Sequence, residues 1–221
     1  MSGAHGPNLA VAPGPLAAYA SKTLSNGGTV NLDLTPAGHA LYDLVEQIVP
    51  SVDKDDFLLE VEAPLLLEVP TGSSLPAGFE PNKKAAEVGD GLNTVQIDAA
   101  LLSKQPRAKN LKGARVYLLE GAEGEAGCSV GRHECTVTLT EDGVSRKHAT
   151  FLSGGGNYFL VDLDSANGSF VNRKRVKPGV RIPLEDRCSV WLGSFRGVFL
   201  SPDMFYDLLA KLAEGSKGAS S

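Results

Sequence analysis

Residues that mark disulfide-rich, metal-rich or membrane-spanning proteins are scarce in this sequence. It contains three cysteines, one tryptophan and 6% aromatic residues. Three cysteines without paired spacing argue against a disulfide framework and predict reduced thiols in a cytoplasmic protein. No apolar run approaches the roughly 20 residues that cross a bilayer, so no membrane span is expected. From Met1 to Tyr19 there is no Lys or Arg, which disfavours a secretory signal peptide.

A strong charge of either sign is also missing, since the formal net charge is only −5. Acidic residues predominate over 1–111, whereas 112–201 carries a slight excess of Lys and Arg. Bulk nucleic-acid binding normally needs a strongly basic face, so no nucleic-acid partner is expected. The weak basic bias of 112–201 is compatible with one local anion site.

The first half of the chain predicts little regular structure. Residues 1–34 are rich in Ala, Gly, Pro, Ser and Asn, which predicts a disordered N-terminal tail. Residues 35–70 predict a small helical or mixed segment. Residues 71–111 have the Gly, Pro, Ser and Lys content of a linker, with one short extended segment.

Caps and prolines give the expected elements of the small helical or mixed segment. Thr35 can cap a helix whose first residue is Pro36, where the missing N–H costs nothing. Ser51 or Asp53 can cap a second, shorter helix. The apolar run 65–69 lies between two prolines and predicts a buried strand.

After Gly113 the pattern changes to short β-type runs separated by turn residues. Many short strands with no helix between them predict an antiparallel sandwich or barrel over 112–201. The expected strands are 115–119, 128–131, 136–139, 149–153, 158–162, 169–171, 181–184, 189–192 and 198–200.

A helix is predicted over 202–214, at the end of the β-rich region. Ser201 can cap it, Pro202 begins it and Gly215 ends it, before a disordered tail over 215–221. Its apolar stripe needs a surface to cover, which either this chain or a partner supplies.

Three stretches of the β-rich region carry the side chains suited to anion binding. They are Gly131-Arg132, Ser145-Arg146-Lys147-His148-Ala149 and the run from Asp162 to Asn172. Together with Cys188 to Gly193, they resemble the signature of the forkhead-associated (FHA) domain over residues 112 to about 200. The resemblance implies a mainly β fold: an FHA-type β-sandwich of two twisted sheets, here with an N-terminal helical or mixed extension and a C-terminal amphipathic helix. It also implies that loops at one end bind phosphothreonine peptides.

The chemistry of a phosphothreonine suits four of these residues. The group carries nearly two negative charges and three acceptor oxygens. Arg132 offers a planar fork of donors, and Ser145 offers a hydroxyl and a backbone N–H. The resemblance implies that Arg146 also contacts phosphate, with Lys147 as a weaker contributor, and that Asn167 hydrogen-bonds the peptide backbone.

Other residues in the motif have supporting or less certain roles. The resemblance implies that His148 braces the loops from beneath, while Gly131, Gly168 and Asn172 meet turn and packing requirements. Gly168 is also a possible peptide contact.

Two positions leave the strength of binding open. Ala166 stands where the family frequently has threonine, so a hydrogen bond worth about 1–3 kcal/mol can be missing there. Arg173 begins a basic turn that is either a solvated hairpin or a steering element for acidic peptides. Ala166 and Arg173 are both treated as possible peptide contacts.

Catalytic, metal and cofactor sites are not expected. Ser145 and His148 lie three apart in an extended loop, where their side chains tend to opposite faces. His133 and Cys135 lack further ligands at metal spacing. The chain is therefore predicted to be a non-enzymatic phosphothreonine-binding adaptor in a Ser/Thr kinase pathway.

Two alternatives accompany this prediction. The chain can instead be a structural FHA protein that acts as a phosphate-independent scaffold in a larger assembly. In addition, Thr29 and Thr94 each precede an aliphatic residue by three positions, a spacing that FHA loops often select. Once phosphorylated, either makes the chain's own N-terminal segment a candidate partner.

Overall fold

The computed structural model of the chain describes residues 37–73, 75, 81, 111, 113–121 and 127–218. Strands predominate within these residues, and short helices flank them. The strands are β1 (His39–Leu41), β2 (Leu65–Glu68), β3 (Arg115–Leu118), β4 (Cys128–Gly131), β5 (Val137–Thr138), β6 (Ala149–Gly154), β7 (Asn157–Asp162), β8 (Ser169–Val171), β9 (Lys174–Arg175), β10 (Ile182–Leu184), β11 (Ser189–Leu192) and β12 (Phe195–Leu200). The helices are α1 (Tyr42–Ile48), α2 (Lys54–Glu60) and α3 (Pro202–Gly218), with a 3₁₀ turn at Val49–Ser51.

These strands form two sheets, which confirms the predicted β-sandwich. The larger sheet has the order β1-β3-β2-β12-β11-β8-β9, and the smaller has the order β10-β7-β6-β4-β5. Pairing is antiparallel except between β4 and β5, where Val130 lies opposite Val137 in a parallel pair. Alternating side chains of both sheets fill the space between them, with Leu66, Tyr117, Phe151, Leu160 and Phe199 among the buried residues.

A second core covers the opposite face of the larger sheet. Leu65 and Leu67 of β2 point into it, and so does Val198 of β12. The helices close it with Phe57 of α2 and with Phe205 of α3, both of which are fully buried. The chain therefore covers the apolar stripe of α3 with its own residues, and the sandwich becomes a three-layer structure.

Residues 35–70 contribute directly to the sandwich, although the sequence sets them apart from 112–201. Strand β2 lies between β3 and β12 and pairs with both: Leu66 is opposite Tyr117 on one side and Phe199 on the other. The sequence did predict this buried strand, but not its position. A sheet built from 112–201 alone would lack one of its central strands.

The first predicted helix begins later than its sequence signals indicate. Residues 39–41 form β1, which pairs with β3, and the helix starts only at Tyr42. Gly38 has φ of +77°, which is incompatible with a continuous helix from Pro36. Thr35 and Pro36 themselves lie outside the described residues. The second helix agrees better, because the Asp53 side chain accepts a hydrogen bond from the Asp55 N–H at 2.9 Å.

The C-terminal helix runs further than predicted. It begins at Pro202 as expected, with the Met204 N–H donating to the Ser201 hydroxyl at 3.3 Å. It does not end at Gly215 but continues to Gly218, so part of the predicted tail is helical. One glycine costs only about 1 kcal/mol in a helix, which its packed first turns can offset. Among the described residues, no helix is both long and apolar enough to cross a membrane.

A truncation tests whether β2 belongs to the folding unit. A chain that starts at residue 112 should lose cooperative thermal unfolding, measured by circular dichroism. It loses Leu65, Leu66 and Leu67, each worth about 1.5–3 kcal/mol of burial, against a typical total stability of about 5–15 kcal/mol. Removal of residues 1–30 is the control and should leave the transition intact. A sharp transition for 112–221 near the full-length midpoint would refute this assignment.

Candidate functional site: a loop cluster at one end of the sandwich

Three loops meet at one end of the smaller sheet, where β4 and β7 end and β6 begins. The first follows β4 and contains Arg132, the second leads into β6 and contains Ser145, and the third joins β7 to β8 and contains Asn167. Backbone hydrogen bonds hold the first two together. The Arg132 N–H donates to the Ser145 carbonyl at 2.9 Å, and the His133 N–H donates to the Arg146 carbonyl at 3.1 Å.

Gly131 makes this close approach of the first two loops possible. A β-carbon on Gly131 would lie 2.2 Å from the Arg146 carbonyl oxygen and 2.9 Å from Cys135 Sγ. No side chain fits in that space without moving the backbone. The packing role predicted for Gly131 thus has a specific steric cause.

His148 connects the second loop to the third from beneath. Its side chain is fully buried. The Ser145 backbone N–H donates to His148 Nδ1 at 3.0 Å, and the other ring nitrogen, Nε2, lies 3.3 Å from the Gly168 carbonyl. Since Nδ1 accepts, the ring is neutral and Nε2 carries the proton that it donates to Gly168. Burial lowers the pKa of His148, against smaller opposing effects of the Gly168 carbonyl and Asp162.

The Ser145 hydroxyl faces the third loop. It accepts a hydrogen bond from the Ala166 N–H at 3.0 Å. An accepting hydroxyl still has its own proton to donate, so Ser145 can offer that proton to an anion outside. The imidazole of His148 contacts the Ser145 backbone, not this hydroxyl, which is the wrong geometry for a serine–histidine nucleophile.

Asn167 is oriented by the second loop. Its side-chain N–H donates to the Gly143 carbonyl at 2.9 Å, and the residue itself is exposed. Its amide oxygen and second amide proton are left for a ligand, since the described residues form no hydrogen bond with them. Next to it, Gly168 has φ of +76°, a conformation that favours glycine, and its carbonyl also accepts the Gly193 N–H at 3.1 Å.

Three exposed cations lie on the first two loops. They are Arg132, Arg146 and Lys147, and the last two follow Ser145 directly in the chain. Within the part of the chain that the structure describes, none of them forms an ion pair with Asp or Glu. The loop end thus carries positive charge without acidic partners among these residues.

A buried carboxylate fixes the third loop. The Asp162 side chain accepts hydrogen bonds from the Ser165 N–H at 3.0 Å, from the Ser165 hydroxyl at 2.6 Å and from the Ser169 hydroxyl. Burial alone would raise the pKa of Asp162, but these hydrogen bonds outweigh it and lower the pKa. Asp162 is therefore a structural anion beneath the loop and is not available as an acid.

A tight hairpin joins β8 to β9 beside the third loop. Asn172 and Arg173 both have positive φ, +49° and +66° respectively, as a two-residue type I′ turn requires. The Asn172 side chain accepts the Ser189 N–H at 3.0 Å, and the Asn172 N–H donates to the Ser189 carbonyl at 2.8 Å. These bonds attach the hairpin to β11.

Arg175, which the sequence does not single out, lies against the candidate site. A β-carbon placed on Gly168 would be 3.0 Å from Arg175 Nε, 3.2 Å from Nη2 and 3.3 Å from Cζ. Arg173, which the sequence offers as an additional contact, lies at the turn of the same hairpin. Strand pairing could have revealed the position of Arg175, because β9 folds back so that Arg175 is opposite Phe170, two residues after Gly168.

An ion-pair network links the second loop to the N-terminal strand β2. Arg115 binds both carboxylate oxygens of Glu68 at 2.8 Å, and Arg115 Nη2 also binds Glu141 at 2.7 Å. The Glu141 carbonyl accepts the Val144 N–H at 2.9 Å in the turn that carries Gly143. The orientation of this turn, and with it the Gly143 carbonyl that fixes Asn167, is thus coupled to the N-terminal part of the sheet.

The two candidate phosphorylation sites, Thr29 and Thr94, lie outside the described residues. Among the described residues, no group of three or more His, Cys, Asp and Glu side chains is arranged to hold a metal ion.

The buried His148 predicts a specific pH dependence of stability. Since its pKa is lowered on folding, the unfolded chain takes up this proton first as the pH falls below about 6.5. The free energy of unfolding should therefore decrease between pH 7 and pH 5, and by less in a His148→Gln variant. Parallel urea titrations of the two proteins across this range measure the difference. Identical pH profiles would show that His148 does not titrate differently on folding.

Comparisons with known proteins show what this chain is similar to. Residues 128–193 match the family model described as FHA domain. The chain is 42% identical over 74 residues to the glycogen accumulation regulator GarA of Mycolicibacterium smegmatis, across 33% of this chain and 45% of that protein. It is 32% identical over 152 residues to the glycogen accumulation regulator GarA of Mycobacterium tuberculosis, across 68% of this chain and 78% of that protein. Among solved structures, Mycobacterium tuberculosis EmbR in complex with a low affinity phosphopeptide is 28% identical, with a TM-score of 0.32, over 34% of this chain and 20% of that chain.

Proposed function

The chain belongs to the FHA domain family, and on that premise we propose that it is a non-enzymatic adaptor that binds phosphothreonine peptides in Ser/Thr kinase signalling. The observation that carries the proposal is the set of exposed cations, without ion pairs among the described residues, on the two loops that carry Arg132 and Ser145. A phosphate dianion bound there would contact both positive charge and hydrogen-bond donors. Two relatives are named as glycogen accumulation regulators, which supports a role in signalling.

Each binding residue has a role that follows from its chemistry. Arg132 binds two phosphate oxygens through its fork, and Arg146 adds a second guanidinium. The Ser145 hydroxyl donates its remaining proton to a third oxygen. Asn167 uses its remaining amide groups on the backbone of the bound peptide. Lys147 contributes a point charge at the rim, and its attraction for phosphate would be significant mainly at low salt.

The role of Arg132 is tested by titrating fluorescent phosphothreonine peptides against full-length variants. Arg132→Ala should weaken binding by about tenfold or more, because two charge-assisted hydrogen bonds are lost. Arg132→Lys keeps the charge but not the fork and should recover only part of the affinity. Lys211→Ala, an exposed cation on α3, is the control and should bind like the wild type.

The outcome also separates the adaptor from the scaffold. Failure of the wild type to bind any member of a degenerate phosphothreonine library would favour the phosphate-independent scaffold. Equal binding of phosphorylated and unphosphorylated peptides would do the same. Phosphate-dependent binding that survives Arg132→Ala would retain the adaptor but reject this clamp.

Ala166 provides a gain-of-function test. Its N–H contacts the Ser145 hydroxyl, and its side chain is exposed beside the proposed phosphate position. Ala166→Thr adds a hydroxyl there and should raise phosphopeptide affinity about three- to tenfold, since a hydrogen bond contributes about 1 kcal/mol net. Ala166→Val has the same branched shape without the hydroxyl and should give no gain. Equal gains from both variants would assign the effect to packing.

The partner is proposed to be a phosphothreonine-containing protein acted on by a Ser/Thr kinase, in the cytoplasm. The chain's own N-terminal segment, phosphorylated at Thr29 or Thr94, is a candidate for that partner. A tethered peptide has a high effective concentration, which would compensate for weak intrinsic affinity. Absence of phosphate at both threonines after kinase treatment, measured by mass spectrometry, would exclude this form of self-binding.

A further inference from the structure

We propose that Arg175 forms a second anion-binding subsite, which selects an acidic side chain or a second phosphate near the phosphothreonine. This inference rests on the proposed binding of phosphothreonine peptides. It concerns which peptides are preferred, whereas the phosphate clamp determines whether a phosphothreonine is bound at all.

The position of the guanidinium is the first argument. A β-carbon added to Gly168 would lie only 3.0 Å from Arg175 Nε, so the guanidinium packs directly against this glycine. Gly168 follows Asn167 directly, and neighbouring α-carbons are about 3.8 Å apart. A peptide that is hydrogen-bonded to Asn167 therefore passes close to Arg175.

The rigidity of the hairpin is the second argument. The Val176 N–H donates to the Ser169 carbonyl at 2.9 Å, and Arg175 is paired with Phe170 across the two strands. The strained turn at Asn172 and Arg173 is held by two hydrogen bonds between Asn172 and Ser189. The backbone of Arg175 is thus fixed relative to the Asn167 loop, so binding orders only its side chain and no backbone.

The charge of the surroundings is the third argument. Arg175 is exposed, and within the described residues its guanidinium has no ion pair with an acidic side chain. Arg173 lies at the turn of the same hairpin, and Lys177 follows two residues after the end of β9. The third loop carries one acidic residue, Asp164, which is exposed and has no ion pair within the described residues. Asp162, at the end of β7, is buried and already hydrogen-bonded to Ser165 and Ser169. The Arg175 guanidinium thus has no acidic partner in this group and is open to an anion from a ligand.

The distance between the two anions follows from strand geometry. An extended peptide advances about 3.3 Å per residue, and alternate side chains point to the same side. A carboxylate within about two to four residues of the phosphothreonine can therefore reach Arg175 while the phosphate stays at Arg132. The same chemistry fits aspartate, glutamate and a second phosphothreonine.

The experiment uses full-length protein and an alanine-based phosphothreonine peptide in which one aspartate is moved through each flanking position. The wild type should bind the peptides with aspartate at one or two of these positions roughly three- to tenfold more tightly than the alanine peptide. This difference in affinity should shrink at high salt. Arg175→Gln should remove this preference and leave the affinity for the alanine peptide within about twofold. Lys177→Gln removes the same charge two residues further along the chain and should keep the preference.

The remaining arms identify the source of the anion and the ways in which the proposal fails. At the preferred position, glutamate and phosphothreonine replace aspartate, and tighter binding of phosphothreonine would assign the subsite to a second phosphate. An equal loss for all peptides in Arg175→Gln would overturn the subsite and leave Arg175 as a support for Gly168. A wild type that binds the alanine phosphopeptide without positional preference would overturn the subsite alone. Absence of all phosphopeptide binding would overturn the proposed function together with it.

Discussion

The neutral imidazole of His148 is the contact on which the loop end of the sandwich depends. It accepts from the Ser145 backbone and donates to Gly168, so one uncharged ring sets the separation of the second and third loops. A charged ring would place a second donor against the Ser145 N–H. A smaller side chain would leave the Ser145 N–H without its acceptor and the Gly168 carbonyl with only the Gly193 N–H. Burial favours the neutral form, and the neutral form is the one that fits both contacts.

This arrangement separates charge from support. The cations proposed for ligand binding lie outside, and neutral or fully hydrogen-bonded groups lie below them. The buried anion Asp162 is enclosed by serine hydroxyls and a backbone N–H, which limits its attraction for Arg132 and Arg146. Positive charge at the surface is thus left for a ligand, while the desolvation of Asp162 is compensated within the fold.

Local sequence patterns predicted much of this structure because its strands are short and separated by turn residues. The family resemblance and the β-sandwich are confirmed, and strands β4, β8 and β11 have the bounds that the pattern indicates. The errors share a different origin. The sequence of His39–Leu41 is typical of a helix start, but these residues pair with β3 and form a strand. Lys174 and Arg175 form β9, although two charged residues carry no strand signal. The position of β2 between β3 and β12 is non-local, so no sequence window contains it. The contact of Arg175 with Gly168 is local but depends on the β8–β9 hairpin, which the charged residues of β9 do not indicate.

The site residues themselves stay predictions, but their geometry could be anticipated only in part. The residue types identified Arg132, Ser145, Arg146 and Asn167, because phosphate chemistry is readable from side chains. The sequence did not reveal that the Ala166 N–H would take one lone pair of Ser145, or that Gly143 would orient Asn167. Both contacts depend on the mutual position of loops that are far apart in the chain, and that position is set by the two packed sheets.

The pairing of β2 with β3 has a consequence for how this chain tolerates change in length. Glu68 and Arg115 end the two strands side by side, and their bidentate ion pair joins the points at which the chain leaves and re-enters the sheet. The chain between residues 69 and 114 therefore connects neighbouring positions of the sheet, and its two ends are anchored because Val69, Leu111 and Ala114 pack in the second core. Doubling such a connection costs only about 0.6 kcal/mol of closure entropy. Between these packed ends the connection can accept added residues, such as an inserted domain, while the sandwich beneath it is kept.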